Sequence, residues 1–249
     1  MLTRREFLKV TAAGSAFALM GSFKNAKASV SPVLPNADYC LQGGRKIPVT
    51  ADVDLVVVGG GARAVAAAVA AAKMGTSVFL AAYMPYLGDE ICGSYLYERA
   101  EDEQPQTALA RKIFAGKDYP TPLHVKKTLE DELIDNKVQF LYSSYVTDVL
   151  VDASGTPAGV VLTNRSGRQA VRCKAIVDAT QEASVAAMCG AEKTKFQPGE
   201  QEYLYTVVGN HPKDNKGIVK AEVLPLPLKV RDKAYPVIRY TYRAERKDD

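Results

Sequence analysis

Histidine and cysteine, the residues that most often bind metals or carry out nucleophilic catalysis, are scarce in this sequence. The chain contains two histidines and four cysteines, and the cysteines are too widely spaced to form a metal-binding knuckle. No arrangement typical of a Ser-His-Asp triad is visible either. We therefore expect no metal site, and the sequence leaves the catalytic residues unknown.

A long apolar stretch is also missing. The most apolar segment, near the N-terminus, contains Lys9 and is interrupted by Gly14 and Gly21. It therefore falls short of the roughly 20 apolar residues that span a bilayer. No later segment reaches that length. We expect no membrane span once the signal segment described below has been removed.

A basic excess is confined to one end of the chain. The formal net charge is +4, and residues 1–28 alone contain five basic residues and one acidic residue. Residues 29–249 carry 27 basic and 27 acidic residues. Without an excess of positive charge to displace counterions from a phosphate backbone, we expect no nucleic-acid binding.

The first 28 residues have the pattern of an export signal. The pair Arg4 and Arg5 precedes an apolar, small-residue stretch, and Ala28 closes an A-x-A cleavage sequence. This pattern predicts a twin-arginine signal peptide over residues 1–28 and a periplasmic or extracellular location. Because this route exports folded proteins, often with a cofactor already loaded, it also favours a tightly held cofactor.

Composition divides the remaining chain into three parts. Prolines, a Gly-Gly pair and the lack of periodicity predict a linker over residues 29–50. Residues 51–191 alternate buried-strand and helix patterns and are predicted to form one nucleotide-binding domain. Residues 192–249 contain strand-like runs around a proline- and lysine-rich middle. We interpret them as the start of a second, β-rich substrate or cap domain.

A strand, a glycine turn, a helix and a second strand follow one another from residue 53 to residue 82. The stretch "VDLVVV" predicts a strand buried on both faces, and "ARAVAAAVAAAKMG" predicts a helix that Gly75 ends. "TSVFLAA" then returns as a second buried strand. This order predicts a βαβ unit in a parallel sheet.

The turn of this unit matches the pattern G-x-G-x-x-A. Gly59 permits the tight turn, Gly61 lets the backbone approach a pyrophosphate, and Ala64 lets the helix pack closely on the strand. The helix N-terminus attracts negative charge. Arg63 either contacts phosphate or reaches solvent, and both interpretations remain open. The motif predicts a dinucleotide site.

Three β-like runs between residues 138 and 180 are separated by the turn signals Ser154-Gly155 and Ser166-Gly167. This pattern predicts an antiparallel meander that leads into one more buried strand. Such a meander is typical of FAD-binding domains in the glutathione-reductase-like class rather than of plain NAD-binding domains. The predicted fold class is thus α/β: a Rossmann-like domain with a parallel sheet plus a meander, followed by a second β-rich domain.

The stretch "AIVDATQEASVAAMCGA", residues 175–191, resembles the FAD-dependent oxidoreductases. Their sequence here reads aliphatic-Asp-Ala-Thr-Gly, then an acidic residue and a small apolar helix. The resemblance extends to "LVVVGGGARAVAAAVAAA" and "PYLGDEICG" and covers about residues 52–191. It implies FAD as the cofactor. It also implies contacts with FAD from the glycine turn, the loop glycine, a meander strand and the last strand end: Gly59, Gly61, Ala62, Arg63, Ala64, Gly88, Val146, Ala179 and Thr180.

The chain departs from this family pattern in three ways. Ala82 stands where a glutamate commonly binds the ribose hydroxyls, and the nearby Asp89 and Glu90 are candidates to replace it. Gln181 stands where a glycine follows the threonine. Family members also continue through a substrate domain to a last flavin-contacting segment, so we interpret the chain as truncated at its C-terminus.

Residues 83–106 are expected to form a loop near the glycine turn. Its tyrosines, among them Tyr83 and Tyr86, are expected to pack, and Cys92 could have a redox role. His124 and His211 are expected to be structural or exposed.

The sequence therefore predicts an exported FAD-dependent oxidoreductase that transfers hydride or electrons between a small organic substrate and FAD. The interpretation that the chain is a fragment, inactive alone without a partner chain or a missing C-terminal half, stays open. Two alternatives remain: a non-catalytic or incomplete Rossmann-fold binding protein, and an NAD(P)-dependent dehydrogenase.

Overall fold

The structure is a computed structural model of the 249-residue chain. It describes residues 17–18, 31–32, 38–42, 45–95, 105–115, 120–192, 194, 197–209, 211–213, 215–225 and 227–247. The signal peptide predicted over residues 1–28 lies outside the described residues, except for Phe17 and Ala18. Among the described residues, no helix has the length and hydropathy needed to cross a bilayer.

The described residues form five helices and four sheets. The helices are α1 (Ala62–Lys73), α2 (Asp89–Cys92), α3 (Ala108–Phe114), α4 (Pro122–Asp135) and α5 (Ser184–Met188). The strands are β1 (Phe17–Ala18), β2 (Ser31–Pro32), β3 (Tyr39–Gln42), β4 (Arg45–Asp52), β5 (Leu55–Val58), β6 (Val78–Ala81), β7 (Gln139–Leu141), β8 (Tyr145–Val151), β9 (Pro157–Asn164), β10 (Gly167–Arg172), β11 (Ala175–Asp178), β12 (Gly199–Val208), β13 (Ile218–Val223), β14 (Leu228–Val230), β15 (Lys233–Tyr235) and β16 (Val237–Arg246).

The first sheet contains the predicted βαβ unit. Its strand order is β1-β11-β5-β6-β7, and β11, β5, β6 and β7 run parallel to one another. The short β1 pairs antiparallel with β11 at the edge. Helix α1 connects β5 to β6, and Gly75 follows it with φ +82°, as the sequence predicted. The α/β fold class is thus confirmed.

Strand β5 is buried on both faces. Leu55 and Val57 contribute to a core with α1 and α4, whereas Val56 and Val58 contribute to a second core with the meander. Alternate side chains of a strand point to opposite faces, so a strand covered on both sides must be apolar throughout. This requirement explains the continuous run of valines.

The predicted meander forms the second sheet, with strand order β2-β8-β9-β10-β4-β3. Strands β8, β9 and β10 are antiparallel neighbours, and Gly155 and Gly167 lie in their turns with positive φ. After the meander, β11 returns to the parallel sheet beside β5. The two sheets therefore pack as layers, with the chain order that the sequence predicted.

The predicted linker over residues 29–50 requires correction. Residues 39–42 and 45–52 form β3 and β4, and β4 pairs in parallel with β10. Cys40 and Ile47 are buried in a third core with Leu150. The glycines and prolines of this segment suggested an irregular chain, but pairing with the distant strand β10 determines the structure of β4. Residues 39–42 and 45–52 are therefore part of the meander sheet.

Two helices lie in or near the predicted surface loop. Residues 83–106 were expected to form a loop, but α2 occupies Asp89–Cys92, and α3 starts soon afterwards at Ala108. At the start of helix α4, Thr121 Oγ1 accepts from the His124 N–H at 3.3 Å, and Pro122 takes the first position.

The C-terminal residues form the predicted β-rich unit. Strands β12, β16 and β13 make an antiparallel sheet, and β14 pairs with β15. The Thr206 hydroxyl donates to the Ser94 carbonyl at 3.1 Å, which connects this sheet to the chain after α2. The sheet thus contacts the residues that directly follow α2.

The buried position of Leu80 in β6 leads to a stability prediction. Leu80 is 0 % exposed in the first core, so Leu80→Ala should lower the free energy of unfolding by about 2–5 kcal/mol. Leu123 is 77 % exposed, so the same change there should alter it by less than about 0.5 kcal/mol. Denaturant unfolding of the two variants measures both values. Equal losses would contradict the described core.

Candidate functional site

The candidate site lies where the carboxyl ends of β5, β6 and β11 meet. Parallel strands place their carboxyl ends at the same edge of a sheet, and nucleotide sites in α/β folds form at this edge. Gly59 follows β5, Ala82 follows β6 and Ala179 follows β11. The sheet therefore brings together the first glycine motif and the "VDAT" strand end, which are more than a hundred residues apart.

Gly59 cannot be replaced without strain. Its φ of +136° is one that side chains with a Cβ rarely adopt. A Cβ built there would lie 2.7 Å from the Ala179 carbonyl oxygen. The Gly59 N–H donates to the Ala81 carbonyl at 2.9 Å, and the Ala179 N–H donates to the Val58 carbonyl at 2.8 Å. The turn is thus fixed against both neighbouring strand ends.

The N-terminus of α1 holds a carboxylate. Gly61 is the N-cap, with no side chain to accept from the first N–H groups of the helix. Glu90 Oε1 accepts from the Ala62 N–H at 2.5 Å, and a Cβ on Gly61 would lie 2.7 Å from Glu90 Oε2. A helix N-terminus favours an anion electrostatically. The side chain of Glu90 fills the anion position that the motif predicts for a phosphate.

Helix α2, which carries Glu90, is anchored by its neighbours. The Gly88 N–H donates to the Gly60 carbonyl at 2.7 Å. The hydroxyls of Tyr83 and Tyr86 donate to the two carboxylate oxygens of Asp89 at 2.6 and 2.9 Å. The hydrogen bond to Asp89 raises the pKa of Tyr83 to about 12. Burial and the same carboxylate raise the pKa of Tyr86 to about 12, so both remain donors at neutral pH.

A cleft of about 270 Å³ opens beside the glycine turn. Three predicted cofactor-binding residues line it: Gly59, Val146 and Thr180. The rings of Tyr83 and Tyr145 lie at the cleft with centroids 6.3 Å apart. Besides these and Gln181, seven lining residues were not identified from the sequence, although several lie at or after strand ends: Val58, Ala81, Tyr83, Ser144, Tyr145, Glu182 and Ser184.

The "VDAT" strand end is shaped by the buried Asp178. Its Oδ1 accepts from the Thr180 N–H at 3.0 Å and from the Thr180 hydroxyl at 2.6 Å. Its Oδ2 accepts from the Ala186 N–H at 2.8 Å, at the start of α5. These bonds satisfy both carboxylate oxygens away from water. Asp178 therefore fixes the loop that forms one wall of the cleft.

The structure places no acid at the position of the family glutamate. Ala82 is fully buried, and a Cβ on Gly60 would lie 3.1 Å from its methyl group. The suggested replacements, Asp89 and Glu90, bind the tyrosine hydroxyls and the Ala62 N–H, and neither lines the cleft. Gln181 does line the cleft, as its place in the motif implied.

The other predicted cofactor residues differ in their exposure and in the hydrogen bonds that they already make. Ala64 is fully buried and lets α1 pack closely, whereas Arg63 is exposed. The Ala62 N–H is bonded to Glu90, and the Gly88 N–H is already used by Gly60. Gly88 also has φ +78°, and a Cβ there would lie 2.8 Å from Leu129 Cδ1. Contacts of these residues with a cofactor stay a prediction.

The candidate catalytic side chains show no activated group. Cys92 is buried, its thiol lies 3.5 Å from the Pro122 carbonyl, and burial raises its pKa to about 11. His124 is exposed, with Nε2 3.0 Å from the Lys112 carbonyl oxygen, and His211 is exposed. The described residues contain no group of three His, Cys, Asp or Glu that could hold a metal ion.

A glycine turn before a helix, a parallel sheet and an inserted meander define a dinucleotide-binding protein of the Rossmann-like class. Comparison with protein families specifies the class further. The family model described as FAD dependent oxidoreductase matches residues 54–207, more than half of the chain. The chain therefore belongs to the FAD-dependent oxidoreductase family, and FAD is the cofactor. Among proteins of curated function, none has a matching sequence.

Solved structures show the same fold at low sequence identity. The crystal structure of AlpK matches with 14% identity and a TM-score of 0.52, covering 79% of this chain and 45% of that one. A flavoprotein/dehydrogenase from Cytophaga hutchinsonii matches with 17% identity and a TM-score of 0.50, covering 77% and 56%. The chain thus spans about half the length of the structures that it matches.

Burial of the cysteines leads to a reactivity prediction. At pH 8 only about one Cys92 thiol in a thousand would be a thiolate, because its pKa is near 11. Cys40, Cys173 and Cys189 are also buried with raised pKa values. The folded protein should therefore react slowly with a disulfide reagent, and unfolding in guanidinium should expose all four thiols. If the folded wild type instead had one fast-reacting thiol, and Cys92→Ser lacked it, a redox role for Cys92 would be supported.

Proposed function

We propose that this chain is the cofactor-binding part of an exported oxidoreductase that passes hydride or electrons between a small organic substrate and FAD. The observation that carries the proposal is the pairing of an anion-binding helix N-terminus with an adjacent cleft. The Ala62 N–H already holds a carboxylate, and the cleft begins at Gly59, three residues before it. A pyrophosphate joined to an adenosine needs these two features side by side.

The residues present fit the nucleotide half of FAD. The backbone of Gly61 and Ala62 would hold the pyrophosphate at the start of α1. Val146, Tyr83 and Tyr145 offer backbone and flat ring surfaces to an adenine, which binds well against aromatic and apolar surfaces. Gln181 and Glu182 are exposed lining residues whose side-chain oxygens can accept from ribose hydroxyls in place of the absent acid at Ala82.

Bound FAD supplies the hydride or electron transfer itself. The residues of this chain bind and orient the cofactor rather than act on the substrate. The glycine turn fixes the position of the pyrophosphate, and the parallel sheet behind it is too well packed to shift. Neither Cys92 nor either histidine is arranged as a proton donor at the cleft. We therefore place the substrate-contacting groups outside the residues described above.

The substrate site is proposed to need a partner chain or a C-terminal half. Residue pairing along β12 and β16 puts the aromatic side chains of Tyr203, Tyr205, Tyr240 and Tyr242 on one face of their sheet. On that face Tyr205 is 63% exposed, and Val207 and Val223 are also exposed. Large apolar side chains in contiguous exposure favour coverage by another part of an assembly.

FAD uptake tests the proposal. The protein, produced with its N-terminal segment in a flavin-replete host, should show absorbance bands near about 375 and about 450 nm from bound oxidised flavin. Gly61→Ala should weaken FAD binding by roughly tenfold or more, because a methyl group would stand where the phosphate approaches. The three atoms nearest to the new methyl group all belong to the flexible end of Glu90, so the fold should persist.

Gly75→Ala is the matched control for this variant. Gly75 lies just beyond the other end of α1, and nothing lies within 4 Å of a Cβ built there. The change should cost about 1 kcal/mol of stability because φ is positive, with FAD binding unchanged. A folded, colourless wild-type protein that takes up no added FAD would refute the proposal for this chain alone. That result would favour a non-catalytic binding protein that keeps the fold.

Export to the periplasm or beyond is proposed from the N-terminal sequence alone. Replacing Arg4 and Arg5 together by lysine keeps the charge but removes the arginine pair, so export should be lost. Cell fractionation and immunoblotting measure the exported fraction. Replacing Lys24 and Lys27 by arginine is the control and should leave export unchanged. Normal export of the double-lysine protein would contradict a twin-arginine signal.

A further inference from the structure

We propose that Glu90 is a built-in competitor of the cofactor phosphate: its carboxylate occupies the N-terminus of α1 until FAD displaces it. This inference rests on the proposed function. It goes beyond the family assignment because it concerns a side chain that is neither part of the glycine motif nor a lining residue of the cleft. It also gives a physical role to the acidic loop sequence "GDEI".

The contacts of Glu90 carry the inference. Its Oε1 accepts from the Ala62 N–H at 2.5 Å, and both carboxylate oxygens lie within 2.8 Å of the position that a Cβ on Gly61 would take. The missing side chain at Gly61 is what allows a phosphate to approach the backbone in this motif. Here the same space admits a carboxylate. One anion position therefore has two competing occupants.

Glu90 can leave this position without unfolding the site. It is half-buried, so a rotation of its side chain reaches solvent. The backbone of α2 stays anchored meanwhile by the Gly88 N–H on Gly60 and by the two tyrosine hydroxyls on Asp89. The competition therefore involves the rotation of one side chain rather than the movement of a loop.

Competition predicts two effects of opposite sign when the charge is removed. Without FAD, the carboxylate stabilises the helix N-terminus, so Glu90→Gln should lower the melting temperature by roughly 2–4 °C. With FAD, the same variant no longer has to break that interaction, and a negative charge no longer faces the phosphates. Its FAD affinity should therefore rise about tenfold. A purely structural role for Glu90 would lower both quantities.

The experiment starts from the apoprotein and measures its melting temperature and its affinity for FAD. FAD is titrated into wild type and Glu90→Gln by flavin fluorescence, and the melting temperature is measured without FAD. Asp131→Asn is the matched control: it removes one negative charge on α4, where the carboxylate accepts from Lys127 and does not line the cleft. Glu90→Asp keeps the charge but is one methylene shorter and should also gain affinity. The control variant shows the effect of removing a negative charge elsewhere, and Glu90→Asp shows the effect of moving the charge away from α1.

The outcomes separate this inference from the proposed function. Tighter FAD binding and a lower melting temperature in Glu90→Gln, with affinity in Asp131→Asn changed less than about twofold, would support the competition. Unchanged or weaker binding in Glu90→Gln, or an equal gain in Asp131→Asn, would overturn it while leaving FAD binding by the wild type intact. No FAD uptake by wild type, Glu90→Gln or Glu90→Asp would overturn both.

Discussion

The unpaired N–H groups at the start of α1 are the constraint on which the site depends. A helix leaves its first N–H groups without internal partners, and in this chain the cap is Gly61, which has no side chain to offer. The tight turn at Gly59 brings these groups to the edge of the sheet, where β6 and β11 also end. A helix N-terminus of this kind favours an anion. The structure places there a carboxylate that the chain itself supplies, and in the proposed complex a phosphate of FAD would take its place.

Local signals were sufficient to predict most of the layered fold. The valines of β5, the alanines of α1 and the turn glycines Gly155 and Gly167 each act within a few residues, and each appears in the structure as expected. Contacts between distant residues were not predictable in the same way. The pairing of β4 with β10 and the bond from Ala62 to Glu90 join segments 28 to about 120 residues apart. No local pattern marks such a partner. The strands within the supposed linker and the carboxylate at the anion position were therefore found only in the structure.

The two unusual residues near the site act on different parts of the proposed cofactor. Ala82 removes an acceptor from the side of the ribose, and its methyl group fills the space against Gly60. Glu90 adds a negative charge on the side of the pyrophosphate. In the proposed complex, both changes lower the affinity for FAD relative to a site with an acid at the ribose and an open helix N-terminus. The cleft between Tyr83 and Tyr145 must therefore supply a larger share of the binding free energy.

The C-terminal β-rich unit contacts the chain beside the cofactor site. The sheet of β12, β13 and β16 contacts the chain just after α2, through Thr206 and Ser94, and α2 carries Glu90. Thr206 and the tyrosines lie on opposite faces of that sheet, because successive side chains of a strand point to opposite sides. One face therefore contacts the chain next to α2, and the other carries the exposed tyrosines. A segment that covers the tyrosine face would leave the contact beside α2 in place, so the cofactor site and the proposed partner surface are separate features of this unit.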